Sequence, residues 1–109
     1  MTQQERRKNP RFSVSVPVRL TSGPETFNGT LKDLCRDAAL VESPQAAPVG
    51  TEIVLALALP GTGGPLQVRG RVVRLGQGEL GHDLAVLFTE LSPAAEARID
   101  FFITLQQGG

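Results

Sequence analysis

Cysteine and histidine occur once each in this 109-residue chain, and tryptophan and tyrosine do not occur at all. A lone Cys35 excludes an internal disulfide and a multi-cysteine zinc site. His82 has no clustered histidine or cysteine partners to make it a metal ligand. One histidine, one cysteine and no paired-carboxylate constellation leave too few convergent groups for catalysis, so no enzyme and no cofactor are expected. The five phenylalanines sit mostly in apolar patterns, which removes the stacking platforms that barrels use to hold single-stranded nucleic acid. No apolar run approaches the roughly 20 residues of a membrane span. The polar, charged start of the chain lacks the apolar segment of a secretory signal. The expectation is cytoplasmic residence without a membrane span.

What is present is an uneven distribution of charge. The chain balances 11 basic against 11 acidic residues, yet Arg6, Arg7, Lys8 and Arg11 fall within Glu5 to Phe12, where Glu5 is the only acid. That arm carries a net +3, and the body, with 7 basic and 10 acidic residues, carries −3. Duplex nucleic acid requires phosphate contacts spread over a face, so a short basic arm on an acidic body favours a local anion site over a duplex-binding surface.

From Phe12 to Leu20, Val14, Val16, Val18 and Leu20 alternate with Ser13, Ser15, Pro17 and Arg19, the pattern of a half-buried strand. Pro17 cannot donate a ladder hydrogen bond, which places this strand near an edge or a bulge. Thr21 to Pro24 is a turn cluster, and Phe27 to Leu34 reads as a return strand interrupted at Asn28-Gly29. Ala39 to Glu42 follows as a short strand. Ile53, Leu55, Leu57 and Leu59 alternate with Val54, Ala56 and Ala58, apolar enough on both faces for burial. Leu66 to Leu75 is the next strand, Gly76 to Gly78 a turn, and Leu80 to Phe88 the last strand. Ser92-Pro93 has the form of a helix cap with proline in the first turn, followed by the stripe Ala95, Ile99, Phe102 and Ile103. Short strands followed by one helix predict a mainly β, small antiparallel barrel. One domain over 1–109 is expected, with a basic arm at 1–11, the barrel at 12–90 and the helix at 92–106.

Arg6-Arg7-Lys8-Asn9-Pro10-Arg11-Phe12, followed by Val16-Pro17-Val18, resembles the start of a PilZ domain, a family that binds cyclic di-GMP. Its first signature is Arg-x-x-x-Arg, matched by Arg7 and Arg11. The resemblance continues through Asp33-Leu34-Cys35, Pro48-Val49-Gly50-Thr51, Val68 to Arg74 and Leu84 to Phe88. It implies a six-stranded antiparallel barrel with a C-terminal α-helix. It also implies a ligand site at Arg7, Arg11, Asp33, Cys35 and Ala38, with Arg6, Lys8 and Arg36 as lesser candidates. Arginine suits a cyclic dinucleotide because its planar fork meets phosphate oxygens bidentately or stacks on a purine.

The second signature, Asp or Asn, any residue, Ser, two residues and Gly, reads here Asp33-Leu34-Cys35-Arg36-Asp37-Ala38. A thiol in place of the hydroxyl costs about 1 kcal/mol of hydrogen bonding. A methyl at Ala38 costs roughly another 1 to 2 kcal/mol if left-handed backbone is required there. Asp37 adds a negative charge that Arg36 is placed to neutralise. Arg69, Arg71 and Arg74 read as an exposed strand face. The resemblance implies a receptor that binds cyclic di-GMP and relays it to a protein partner. The alternative is a degenerate PilZ-like adaptor that acts through protein contacts alone in motility, polarity or type IV pilus systems.

Overall fold

The alternation in the sequence requires strands whose Leu, Ile and Val faces share one interior, and the chain meets that requirement by closing a sheet on itself. The computed structural model describes residues 12–61, 64–79 and 81–108. Its strands are β1 (Phe12–Ser22), β2 (Glu25–Leu34), β3 (Ala38–Ser43), β4 (Glu52–Leu57), β5 (Leu66–Gly78) and β6 (Gly81–Glu90), followed by the helix α1 (Pro93–Gly108). All the strand pairs are antiparallel, and the order around the closed barrel is β1-β2-β3-β6-β5-β4. The expected six-stranded barrel with a C-terminal helix is the architecture found.

The interior is filled from every strand, with Leu20, Leu31, Leu34, Val41, Leu55, Leu57, Val72, Leu84 and Val86 fully shielded from solvent. Ala95, Ile99, Phe102 and Ile103 belong to the same core. The antiparallel order brings the start of β1, the β2–β3 hairpin, the β4–β5 connection and the end of β6 to one end of the barrel. Two contacts tie α1 to that end. Arg36 in the β2–β3 hairpin pairs with Asp100 at 2.7 Å, and the Arg98 guanidinium donates to the Gly64 carbonyl. The helix begins where its cap specifies: the Ser92 hydroxyl accepts from the Ala95 amide at 3.1 Å, satisfying an N–H of the first turn. Among the described residues no helix is long and apolar enough to cross a membrane.

Several local expectations are corrected. Asn28 and Gly29 lie inside β2, paired with Arg19 and Val18, instead of interrupting it. Gly29 serves close approach: a Cβ there would stand 2.6 Å from the Glu42 carbonyl oxygen and 3.0 Å from a Leu20 methyl. Gly76 to Gly78 is not a turn. Those residues pair with Asp83, His82 and Gly81, so the hairpin closes one step later, because a ladder is built by backbone groups that glycine also carries. Leu80, the expected start of the last strand, lies outside the described residues. β4 ends at Leu57, and its second face, Val54 and Ala56, is only half-buried. Pro17 sits beside a register shift in the β1–β2 ladder and beyond the β1–β4 pairs, where its missing N–H breaks no bond of that ladder.

Candidate functional site

Three of the four register shifts in the described ladders gather around one outer face; the fourth lies between Arg69 and Gly70 in the β5–β6 ladder. In β2 the register with β3 passes from Leu31↔Val41 directly to Asp33↔Leu40, so one extra residue is accommodated and Lys32 and Asp33 both turn outward between buried Leu31 and Leu34. In β5 the register with β6 passes from Val72↔Val86 to Arg74↔Ala85, and Val73 and Arg74 both turn outward. A third shift lies between Ser13 and Val16 in β1, opposite Asp33 and Leu31. Strict alternation from Val72 would have aimed Arg74 into the core. Bulges re-aim side chains in this way and concentrate beside functional sites.

Between the bulges of β2 and β5, β3 and β6 pair without a shift from Ala38↔Leu87 to Ser43↔His82. The result is a continuous lateral row, Asp33–Leu40–Ala85–Arg74, with each residue directly opposite the next. Asp33, Cys35, Ala38, Ala39, Leu40, Arg74 and Ala85 line a shallow depression of about 80 Å³. It adjoins a groove of about 840 Å³, which shares Asp33 and Leu40 and is bounded further by Val14, Lys32, Glu42, Gln77, Gly78, Glu79 and Asp83. The depression is apolar on its floor and carries a carboxylate at one end and a guanidinium at the other.

Asp33, Cys35 and Ala38, assembled from the sequence as one motif, meet at this depression because β2 and β3 are joined by a tight hairpin. The Cys35 amide donates to the Ala38 carbonyl at 3.0 Å, and the Phe88 amide donates to the Asp37 carbonyl at 2.8 Å, fastening the hairpin to β6. Ala38 has no left-handed backbone, since no described non-glycine residue has positive φ. The strain foreseen for a methyl there is therefore absent, leaving only its bulk. The Cys35 thiol donates to the Asp37 carboxylate at 3.3 Å and approaches the Ala38 carbonyl at 3.5 Å, within its own hairpin. Burial pushes this thiol above its ordinary value, and the charge of Asp37 adds to the shift. A raised value keeps it a neutral, weakly nucleophilic thiol at neutral pH.

The cations divide by partner. Arg36 is held by Asp100 rather than neutralising Asp37. Lys32 pairs with the buried Glu42 at 3.7 Å, Arg69 with Glu90 at 3.8 Å and Arg71 with Glu52 at 3.5 Å. Among the described residues Arg74 has no ion-pair partner. Sequence reasoning grouped it with Arg69 and Arg71, and only the bulge separates it from them. Arg6, Arg7, Lys8 and Arg11 lie outside the described residues. The chain enters the barrel beside the site, since Phe12 pairs with Leu34 and Ser13 with Asp33.

A family profile described as PilZ domain matches residues 5–105. The chain belongs to the PilZ domain family. Solved PilZ folds superpose on it closely despite low identity. The PilZ domain of YcgR from Escherichia coli, solved with c-di-GMP, has a TM-score of 0.78 at 15% identity, covering 94% of this chain and 93% of that one. The Bacillus subtilis inhibitor of motility MotI has a TM-score of 0.78 at 14% identity, covering 94% of this chain; this chain spans 52% of MotI. The PilZ domain of CeSA from a cellulose-synthesizing bacterium has a TM-score of 0.68 at 20% identity, covering 89% of this chain and 98% of that one. No curated protein matches the chain. On this PilZ barrel, the second signature forms the wall of the depression between β2 and β3.

Proposed function

We propose that this PilZ domain is a non-enzymatic, cytoplasmic receptor for cyclic di-GMP that relays the bound state to a protein partner. The observation that carries the reading is the bulge-framed outer face, where Asp33 of the second signature stands at the point at which the arm bearing Arg7 and Arg11 joins the barrel. The neighbouring PilZ domain of YcgR was solved with this nucleotide, which supports the same ligand class here. In this reading Arg7 and Arg11 hold phosphates or stack on guanine, Asp33 accepts from a guanine edge, and Cys35 and Ala38 line the seat. Groove and depression together have the dimensions of a small-molecule site.

The groove is rich in carboxylates, with Glu42, Glu79 and Asp83 beside Asp33. Carboxylates suit the N–H donors of guanine and repel phosphates, and Lys32, the cation lining the groove, is already paired with Glu42, so the charge of the nucleotide is met from the arm. Calorimetric titration with cyclic di-GMP tests this division. Saturable binding is expected, lost in Arg7→Ala/Arg11→Ala; an unaltered isotherm in that double variant rejects the arm's role.

The inward engagement of the Cys35 thiol with Asp37, together with the acidic groove, favours a second reading. In it the barrel is an adaptor that contacts proteins without the nucleotide, in motility, polarity or type IV pilus systems. Cys35→Ser with Ala38→Gly discriminates between the two. Binding that appears only in this variant supports the adaptor, and binding by the natural protein excludes it.

A further inference from the structure

From the position and partners of Arg74 we infer that it reads one edge of a bound base and, together with Asp33 at the other edge, makes this site prefer guanine over adenine, an assignment that rests on the nucleotide-receptor reading. Three observations converge. The bulge at Val73 turns Arg74 out of the core and onto the row that begins at Asp33. Arg69 and Arg71 on the same strand are engaged by Glu90 and Glu52, whereas Arg74 has no acid within ion-pair distance among the described residues. Between Asp33 and Arg74 the depression is floored by Leu40, Ala39 and Ala85, flat and apolar enough to underlie a ring.

The chemistry of the two ends then fixes the base. Asp33 and Arg74 stand three strand spacings apart, about 14 Å between backbones. A carboxylate on a short stem and a guanidinium on a long one leave room between them for a single purine. Guanine offers N–H donors on one edge, which a carboxylate accepts, and the O6 and N7 acceptors on the other, which the arginine fork meets bidentately. Adenine presents N7 beside an amino donor, so one arm of the fork would face another donor. Arg74 is thus a specificity contact that acts alongside Asp33.

The test is titration of the full chain and its Arg74→Gln variant with cyclic di-GMP and with cyclic di-AMP. Arg74 is exposed, and an unchanged thermal midpoint establishes that the variant is folded. Glutamine is the informative replacement because it pairs with adenine N6 and N7. The natural protein is expected to prefer cyclic di-GMP. The variant is expected to lose roughly 10- to 100-fold in affinity for cyclic di-GMP while its affinity for cyclic di-AMP holds or rises, so that the preference narrows by at least about tenfold. If both nucleotides weaken equally, Arg74 contributes charge alone and the specificity role is overturned. If cyclic di-GMP binding is unchanged, Arg74 lies off the site although the receptor reading stands. A natural protein that binds neither nucleotide overturns the receptor reading and this inference with it.

Discussion

The two sides of this barrel follow different rules. Around β4 every ladder is regular: Val18↔Leu57 to Thr21↔Val54 on one side and Glu52↔Arg71 to Leu57↔Leu66 on the other run without a shift. Around β2 and β5, next to the β3–β6 pair, the ladders are broken four times, three of them beside Asp33 and Arg74 and the fourth between Arg69 and Gly70. Regular pairing supports burial, since each inward side chain is fixed by its neighbours. Broken pairing sets consecutive side chains on the same surface, which is what a binding face needs and a core does not. The difference singles out the face between Asp33 and Arg74 as the candidate site without appeal to any motif.

Deleting one residue from each side breaks the comparison most severely. Removing Val54 shifts the rest of β4 by one position and turns Leu55 and Leu57 outward, so loss of the folded circular-dichroism spectrum is expected. Removing Val73 merely straightens the bulge and leaves Leu75 and Arg74 opposite Leu84 and Ala85, so the spectrum should survive. Equal tolerance of both deletions would erase the distinction.

A smaller effect is expected from Gly70→Ala. A Cβ at this position would lie 2.5 Å from a Val86 methyl and 2.8 Å from the Leu87 carbonyl oxygen, too close without movement of β6. Destabilisation of about 1–3 kcal/mol by urea unfolding is expected, with no change in nucleotide preference.

The smallest effect concerns Cys35. Its thiol is raised in the folded state by burial, with Asp37 adding to the shift. The unfolded chain therefore loses this proton first as the pH rises. The resulting contribution to stability is intact below the ordinary value of 9.0 and is lost as the pH climbs through the folded value. Urea midpoints for the natural protein should fall more between pH 7 and pH 10 than those of Cys35→Ser, and parallel curves would remove the thiol from the account.

The architecture was legible because strand alternation and the Ser92-Pro93 cap are local, and both are satisfied locally in the structure. The helix stripe Ala95, Ile99, Phe102 and Ile103 is buried as its spacing requires. The second signature was legible as a motif, and its three residues do share a depression. Arg74 was not legible as a site residue. Counting by twos along Val68, Gly70 and Val72 has no means of finding an inserted residue, so the bulge that separates Arg74 from Arg69 and Arg71 appears only once β6 is laid beside β5. The turn expected at Gly76 to Gly78 failed for a related reason: glycine permits a turn, but here the ladder continues through it.

The central claim is that the face framed by the two bulges is where the ligand sits, and backbone NMR of the labelled protein during a cyclic di-GMP titration tests it most directly. The account predicts saturable shifts at the amides of Asp33, Leu40, Ala85 and Arg74, with Val54 and Ala56 on the regular side unmoved. Saturable shifts centred on β4 with the bulged face silent would contradict it.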